Sequence, residues 1–171
     1  ALPIWTPVYA EMVNLIEGKE VEFADFKFDP DTVKSMLKNY YFSNARPITK
    51  SMLTWWAFHD DNQPLLSLES VYEIEHIFAR KRQENESSLS NSNKLESLGN
   101  KILLEKKIYI RASDYRFTDK KKYYEGFTND KGQYKEGTKI VELQGFAKNK
   151  ADYTESDIDS RQESIIDTFV D

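Results

Sequence analysis

Val71-Tyr72-Glu73-Ile74-Glu75-His76-Ile77-Phe78 is the stretch on which the fold of this chain turns. Tyr72, Ile74 and His76 alternate with Glu73, Glu75 and Ile77, and that period of two predicts a short strand. Its last polar pair, Glu75-His76, places a carboxylate beside an imidazole at the strand end. A second segment, Leu98-Gly99-Asn100-Lys101-Ile102-Leu103-Leu104, runs on to Ile108-Tyr109-Ile110. It predicts a short helix around 94–98 stopped by Gly99, then a strand over 101–110. The chain has two histidines, His59 and His76, so the setting of His76 carries weight.

Working outward, Asp114 can cap a helix through Tyr115, Phe117, Lys121 and Tyr124 that stops at Gly126. Residues 83–93 are a polar run without periodicity and predict a loop. Asn129-Asp130-Lys131-Gly132 is a turn, and Thr154 to Asp157 resembles a capping box that opens a last helix with Ile158, Ile165, Ile166 and Phe169 on one side. Towards the N-terminus, apolar residues from Val8 to Ile16 predict an amphipathic helix that ends at Gly18. Asp29-Pro30 starts a second helix, Pro47 breaks the chain, and Thr49 can cap a third over 51–59. Met52, Leu53, Trp55, Trp56 and Phe58 surround that third helix, which predicts burial. The expected organisation is a helical scaffold over 1–60 and a mixed portion over 61–171, together one compact domain.

Composition bounds the function. A chain of 171 residues with 39% hydrophobic and 13% aromatic content can build a core from large rings. There are no cysteines, which excludes disulfides and thiolate zinc sites and fits a reducing, cytoplasmic setting. No apolar run reaches the roughly 18–20 residues that a membrane span needs. The chain opens on Ala1 without a signal-peptide pattern, which reads as a processed form or a domain cut from a larger protein. Net charge is -5, yet residues 79–122 hold twelve Lys and Arg against six Asp and Glu. A basic zone of this kind serves phosphate neutralisation or is a solvated lysine-rich face.

An acid and a histidine at a strand end can cleave phosphodiesters with a divalent ion. The imidazole takes a proton from the attacking water near neutral pH, and the acid binds the ion. An Asn braces the imidazole or completes the oxygen ligands. The order strand, loop, strand, helix from Tyr72 to Glu125 is the order of a small antiparallel ββα-metal (HNH, His-Me finger) core, so the expected fold class is α+β and mostly helical around such a core. The bland alternatives are a hydrogen-bonded sheet histidine for His76, a surface carboxylate paired with Arg80 or Lys81 for Glu75, and a turn residue for Asn100.

The motifs Glu73-Ile74-Glu75-His76-Ile77, Leu98-Gly99-Asn100-Lys101-Ile102-Leu103-Leu104, Phe117-Thr118-Asp119-Lys120 and Ile158-x-x-Arg161 together resemble the HNH domain of GmrSD-type restriction endonucleases. The resemblance covers roughly residues 48–170. It implies that Glu75 is a metal ligand, that His76 is the general base and that Asn100 braces the site. It also implies a divalent cofactor, Mg²⁺ or Mn²⁺, DNA as partner and substrate, and an N-terminal nucleotide-dependent domain as the usual companion. Arg80, Lys81, Lys101, Lys120 and Lys121 are the expected nucleic-acid contacts. Two positions depart from the pattern. Tyr109 falls where the family's last metal-ligating Asn is expected, with Asp114 or Asn100 as possible substitutes, and Ala79 replaces a Pro or small residue. The expected function is metal-dependent DNA hydrolysis in a bacterial restriction-type protein. The alternatives are a degenerate HNH module that binds nucleic acid or a partner without cutting, and a purely structural C-terminal domain.

Overall fold

The computed structural model describes residues 5–21, 29–67 and 69–171, with side chains for all of these except residues 5–8. Val8, placed by sequence on the first helix, thus has its side chain outside the described residues. The chain divides into two units, Ala1–Val33 and Lys34–Asp171. The first contains α1 (Trp5–Ile16), which exposes Tyr9, Met12, Val13, Leu15 and Ile16, and Gly18 follows it at φ +69°. Helix α2 (Pro30–Lys38) starts at a proline as predicted, because a missing N–H costs nothing in the first turn.

The second unit is α+β and mostly helical, with two small antiparallel sheets. Helix α3 (Pro47–His59) leads to β1 (Tyr72–His76), α4 (Arg80–Glu86), two 3₁₀ turns over Ser92–Glu96 and Leu98–Asn100, and β2 (Lys101–Glu105). Then come α5 (Lys106–Ala112), α6 (Phe117–Glu125), the hairpin β3 (Gly126–Thr128) and β4 (Tyr134–Glu136), α7 (Val141–Asn149) and α8 (Glu155–Val170).

Strands β1 and β2 pair with Ile74 opposite Leu103, Glu75 opposite Ile102 and His76 opposite Lys101. The ladder is extended by Ile77 N–H to Asn100 O and Lys106 N–H to Val71 O, both at 2.9 Å. Ile74, Ile102, Leu103 and Leu104 enter the core with Leu53 of α3, Phe117 of α6, Leu143 of α7 and Ile158 and Ile165 of α8. A fully buried side chain of this kind contributes roughly 1.5–3 kcal/mol, so this cluster fixes the position of β1.

Several expectations are corrected. The second strand stops at Glu105, and the 106–110 stretch is helical. The alternation of Ile108 and Ile110 mimics a strand, but the buried pair is Ile108 and Ala112, four residues apart on one helical face. Pro47 does not break the chain but occupies the first turn of α3, with Arg46 at the N-cap position and no side-chain cap hydrogen bond among the described residues; Thr49 is buried and donates its hydroxyl to Ser43 O at 2.8 Å. Residues 80–86, read partly as loop, form the polar helix α4, pinned by Arg82 to Asp152 at 2.8 Å and over the Phe78 ring. The N-cap position of α6 is taken by Arg116, not Asp114, with no side-chain cap hydrogen bond among the described residues. Helix α7 and the β3–β4 hairpin were not foreseen; only the turn at 129–132 was.

The last helix begins as predicted, with the Asp157 carboxylate accepting the Thr154 N–H at 2.7 Å. It packs on the turn before β2, and Gly99 permits the approach: a Cβ there would lie 1.9 Å from Ile158 O. Arg161, 6% exposed, donates to Glu142 and to the carbonyls of Leu98 and Lys101 at 2.7–2.8 Å, which locks this junction. Among the described residues no helix is long and apolar enough to cross a membrane.

Candidate functional site

Adjacent strand residues point to opposite faces, so Glu75 and His76 meet different surroundings. Glu75 is 2% exposed and faces α6. Its Oε1 accepts from Lys120 Nζ at 2.6 Å and from Tyr124 OH at 2.9 Å, and Lys120 also donates to His76 O at 2.8 Å. Lys120 and Tyr124 lie four residues apart and share one face of α6. Glu75 Oε2 accepts no hydrogen bond among the described residues, and Glu75 lines a cleft. Burial raises the Glu75 pKa, against the pull of Lys120, and burial also pushes the Tyr124 phenol well up.

His76 faces the other way. Its Nε2 lies 3.2 Å from Lys101 Nζ, across the ladder, and 3.4 Å from Glu96 Oε1. Lys101, completely buried, donates to Glu96 Oε2 at 2.7 Å and to Asn44 Oδ1. Arg80 donates to Glu96 Oε1 at 2.5 Å from the rim. Burial lowers the His76 pKa, and the cations Lys101 and Arg80 add to the effect while Glu96 opposes it. Burial works against the charge on Glu96, but hydrogen bonds from His76 and Lys101 hold its carboxyl well below the usual carboxylate range. His76 Nδ1 makes no hydrogen bond among the described residues. Among the described residues the ring is therefore held at one nitrogen only.

The two faces meet in a cleft of about 360 Å³ lined by Asn44, Glu75, His76, Arg80, Tyr109 and Asp114, among others. Tyr109 is on α5 rather than on a strand, 37% exposed, and it lines this cleft instead of entering the core. Burial and the nearby carboxylates of Glu75 and Glu73 raise its pKa. Asp114 follows Ser113, which holds a left-handed φ of +49°, and its Oδ2 accepts the Lys81 N–H at 3.1 Å. Among the described residues no group of three or more His, Asp or Glu side chains converges as a metal site.

The residues picked from sequence divide into three sets. Glu75, His76, Arg80, Tyr109, Asp114 and Lys120 come together in the cleft. Asn100 lies beneath it, fully buried; its amide bridges Phe78 N–H and Phe78 O at 2.7 and 3.1 Å and reaches Leu95 O at 3.2 Å. It braces the backbone just after the His76 strand rather than the imidazole itself. Lys101 is an internal cation, Lys121 donates to Lys150 O at 2.8 Å, and Lys81 is exposed. His59 stacks on Trp56 at 5.7 Å. Sequence reasoning missed Asn44, Glu96 and Tyr124. Only Tyr124 left a trace, its four-residue spacing from Lys120.

A family model described as "GmrSD restriction endonucleases, C-terminal domain" matches residues 27–168. The chain belongs to that family. Comparison with curated proteins and with solved structures returned no match. The GmrSD C-terminal-domain match spans the β1–β2 ladder, the cleft, α6 and α8, so the elements that build the site are those the family model describes. Membership points to a nuclease-type restriction function.

Proposed function

We propose that β1, β2 and the helices that follow them up to Glu125, α5 and α6, form a ββα-metal core and that the cleft hydrolyses DNA phosphodiesters within a restriction-type protein. The observation that carries this is a histidine held at Nε2 and a carboxylate held at Oε1 that line one cleft, with Nδ1 and Oε2 unbonded among the described residues. His76 Nδ1 is the general base that takes the proton from the attacking water, and its lowered pKa keeps it neutral and ready at pH 7. Lys120 holds Glu75 by one oxygen and fixes the backbone at His76, so both groups keep their places as charge develops. Arg80 at the cleft and the exposed Lys81 next to it in sequence meet phosphates.

The residues suit a hydrated Mg²⁺ or Mn²⁺, which binds through one or two carboxylates and keeps its waters. Glu75 Oε2 and Asp114 would hold it, with Tyr109 at the position of the expected Asn ligand. Such an ion supplies Lewis-acid stabilisation of charge on the leaving oxygen. The usual companion of such a module is a nucleotide-dependent domain on the N-terminal side.

A second reading is a degenerate module that binds nucleic acid or a partner without cleavage. Tyr109 in the ligand position favours it, because a phenol is a poor ligand for a hard ion at neutral pH. Plasmid nicking with Mg²⁺ or Mn²⁺ decides between the two. Nicking by the chain and its loss in His76→Ala support the nuclease. Salt-dependent DNA binding without cleavage supports the second reading.

A further inference from the structure

Beyond the Glu75-His76 pair, a carboxylate that the motifs do not name lies against His76. Glu96 ends a 3₁₀ turn and is 6% exposed, yet both of its oxygens are engaged by cations: Arg80 at Oε1, 2.5 Å, and Lys101 at Oε2, 2.7 Å. Oε1 also lies 3.4 Å from His76 Nε2. A carboxylate only accepts and an ammonium only donates, so Nε2 carries the proton where it serves Glu96 at 3.4 Å and a lone pair where it serves Lys101 at 3.2 Å. Two of the three Lys101 N–H groups already have acceptors, Glu96 and Asn44.

Resting on the nuclease reading, we infer that Glu96 is the positioning residue of the site: by accepting the Nε2–H of His76 it fixes the ring tautomer and leaves the Nδ1 lone pair facing the cleft. The wrong tautomer would present an N–H to the attacking water and could not take its proton. Lys101 and Arg80 act on Glu96, holding the carboxylate in the one place from which it reaches the ring. The opposition of His76 and Lys101 across the ladder makes this arrangement possible. A strand register shifted by one residue would remove it.

Nitrogen NMR of the full chain with ¹⁵N-labelled histidine tests this. His59→Gln assigns the spectrum, because the chain has only two histidines. Above the His76 titration, the expected spectrum shows a protonated Nε2 and an unprotonated Nδ1. Lys101→Met, which leaves Glu96 with Arg80, should keep that pattern. Glu96→Leu combined with Lys101→Met removes the pair together, a replacement that buried ion pairs commonly tolerate, and should give a tautomer mixture. In nicking assays the double variant should lose at least about tenfold in kcat with KM for plasmid within about twofold. A proton on Nδ1 in the parent, or an unchanged tautomer in the double variant, overturns the inference. If the tautomers behave as expected but the parent never nicks, Glu96 still fixes the ring while its catalytic role falls with the nuclease reading.

Discussion

Lys120→Met should destabilise the chain, and by more at alkaline than at acid pH. The Lys120 ammonium is 1% exposed and donates to Glu75 Oε1 at 2.6 Å and to His76 O at 2.8 Å. Methionine keeps the stem but leaves Glu75 with the Tyr124 hydroxyl as its only donor among the described residues. Breaking one side of a buried pair costs about 3–5 kcal/mol while the orphaned group stays charged. Glu75 has an escape, since burial already raises its pKa and loss of Lys120 raises it further. A carboxyl with a raised folded pKa binds its proton more tightly folded than unfolded. Stability in the variant is therefore highest below the unfolded carboxyl pKa and is lost as pH rises towards the folded one. Near pH 5 the loss should approach about 1–2 kcal/mol, the hydrogen bond to His76 O. At pH 8 it should reach about 3–5 kcal/mol, a fall in Tm of roughly 6–20 °C for a chain of this size. Urea unfolding at both pH values measures it, and Glu75→Gln combined with Lys120→Met should recover much of the loss at pH 8. A loss under about 1 kcal/mol at pH 8, or a larger loss at pH 5, would refute the buried pair.

Three further outcomes follow from the site and its supports. Tyr109→Asn puts an amide oxygen where the family pattern expects one and should raise nicking several-fold at limiting Mg²⁺; an unchanged metal titration would separate Tyr109 from the chemistry. Asn100→Ala removes the bridge to Phe78 and Leu95, and each group left unsatisfied should cost about 1–3 kcal/mol in urea unfolding; a loss within error would mean the bridge is not formed. Gly99→Ala drives a Cβ to 1.9 Å from Ile158 O and should destabilise by about 3 kcal/mol or more, with faster amide exchange along α8; a Tm equal to that of the parent would count against the Gly99–α8 contact.

Much of the site was legible because its motifs are local. The alternation over Tyr72–His76 predicted β1, the Gly-Asn turn preceded β2, and the Ile158-x-x-Arg161 motif falls on α8, where Arg161 pairs with Glu142. Capping chemistry placed the starts of α2 and α8 for the same reason, since a cap lies within four residues of what it caps. What failed were short windows with two readings. Ile108-Tyr109-Ile110 alternates like a strand, but the core takes Ile108 and Ala112 and makes it a helix. Helix α4 buries no residue and so left no apolar period to read.

By itself the sequence determined the α+β class, the β1 strand with its acid–imidazole pair, and the family, because period-two patterning and short motifs need no distant partner. Only the tertiary structure decided the environment of each charge. Lys120 read as a nucleic-acid contact and is a buried counter-ion, while Glu96, five residues before Lys101, reaches His76 only through the antiparallel register. Tyr109 could have pointed into the core or the cleft, and the turn from β2 into α5 put it in the cleft. Burial and pairing depend on which elements pack together, and that information is shared among residues far apart in the chain.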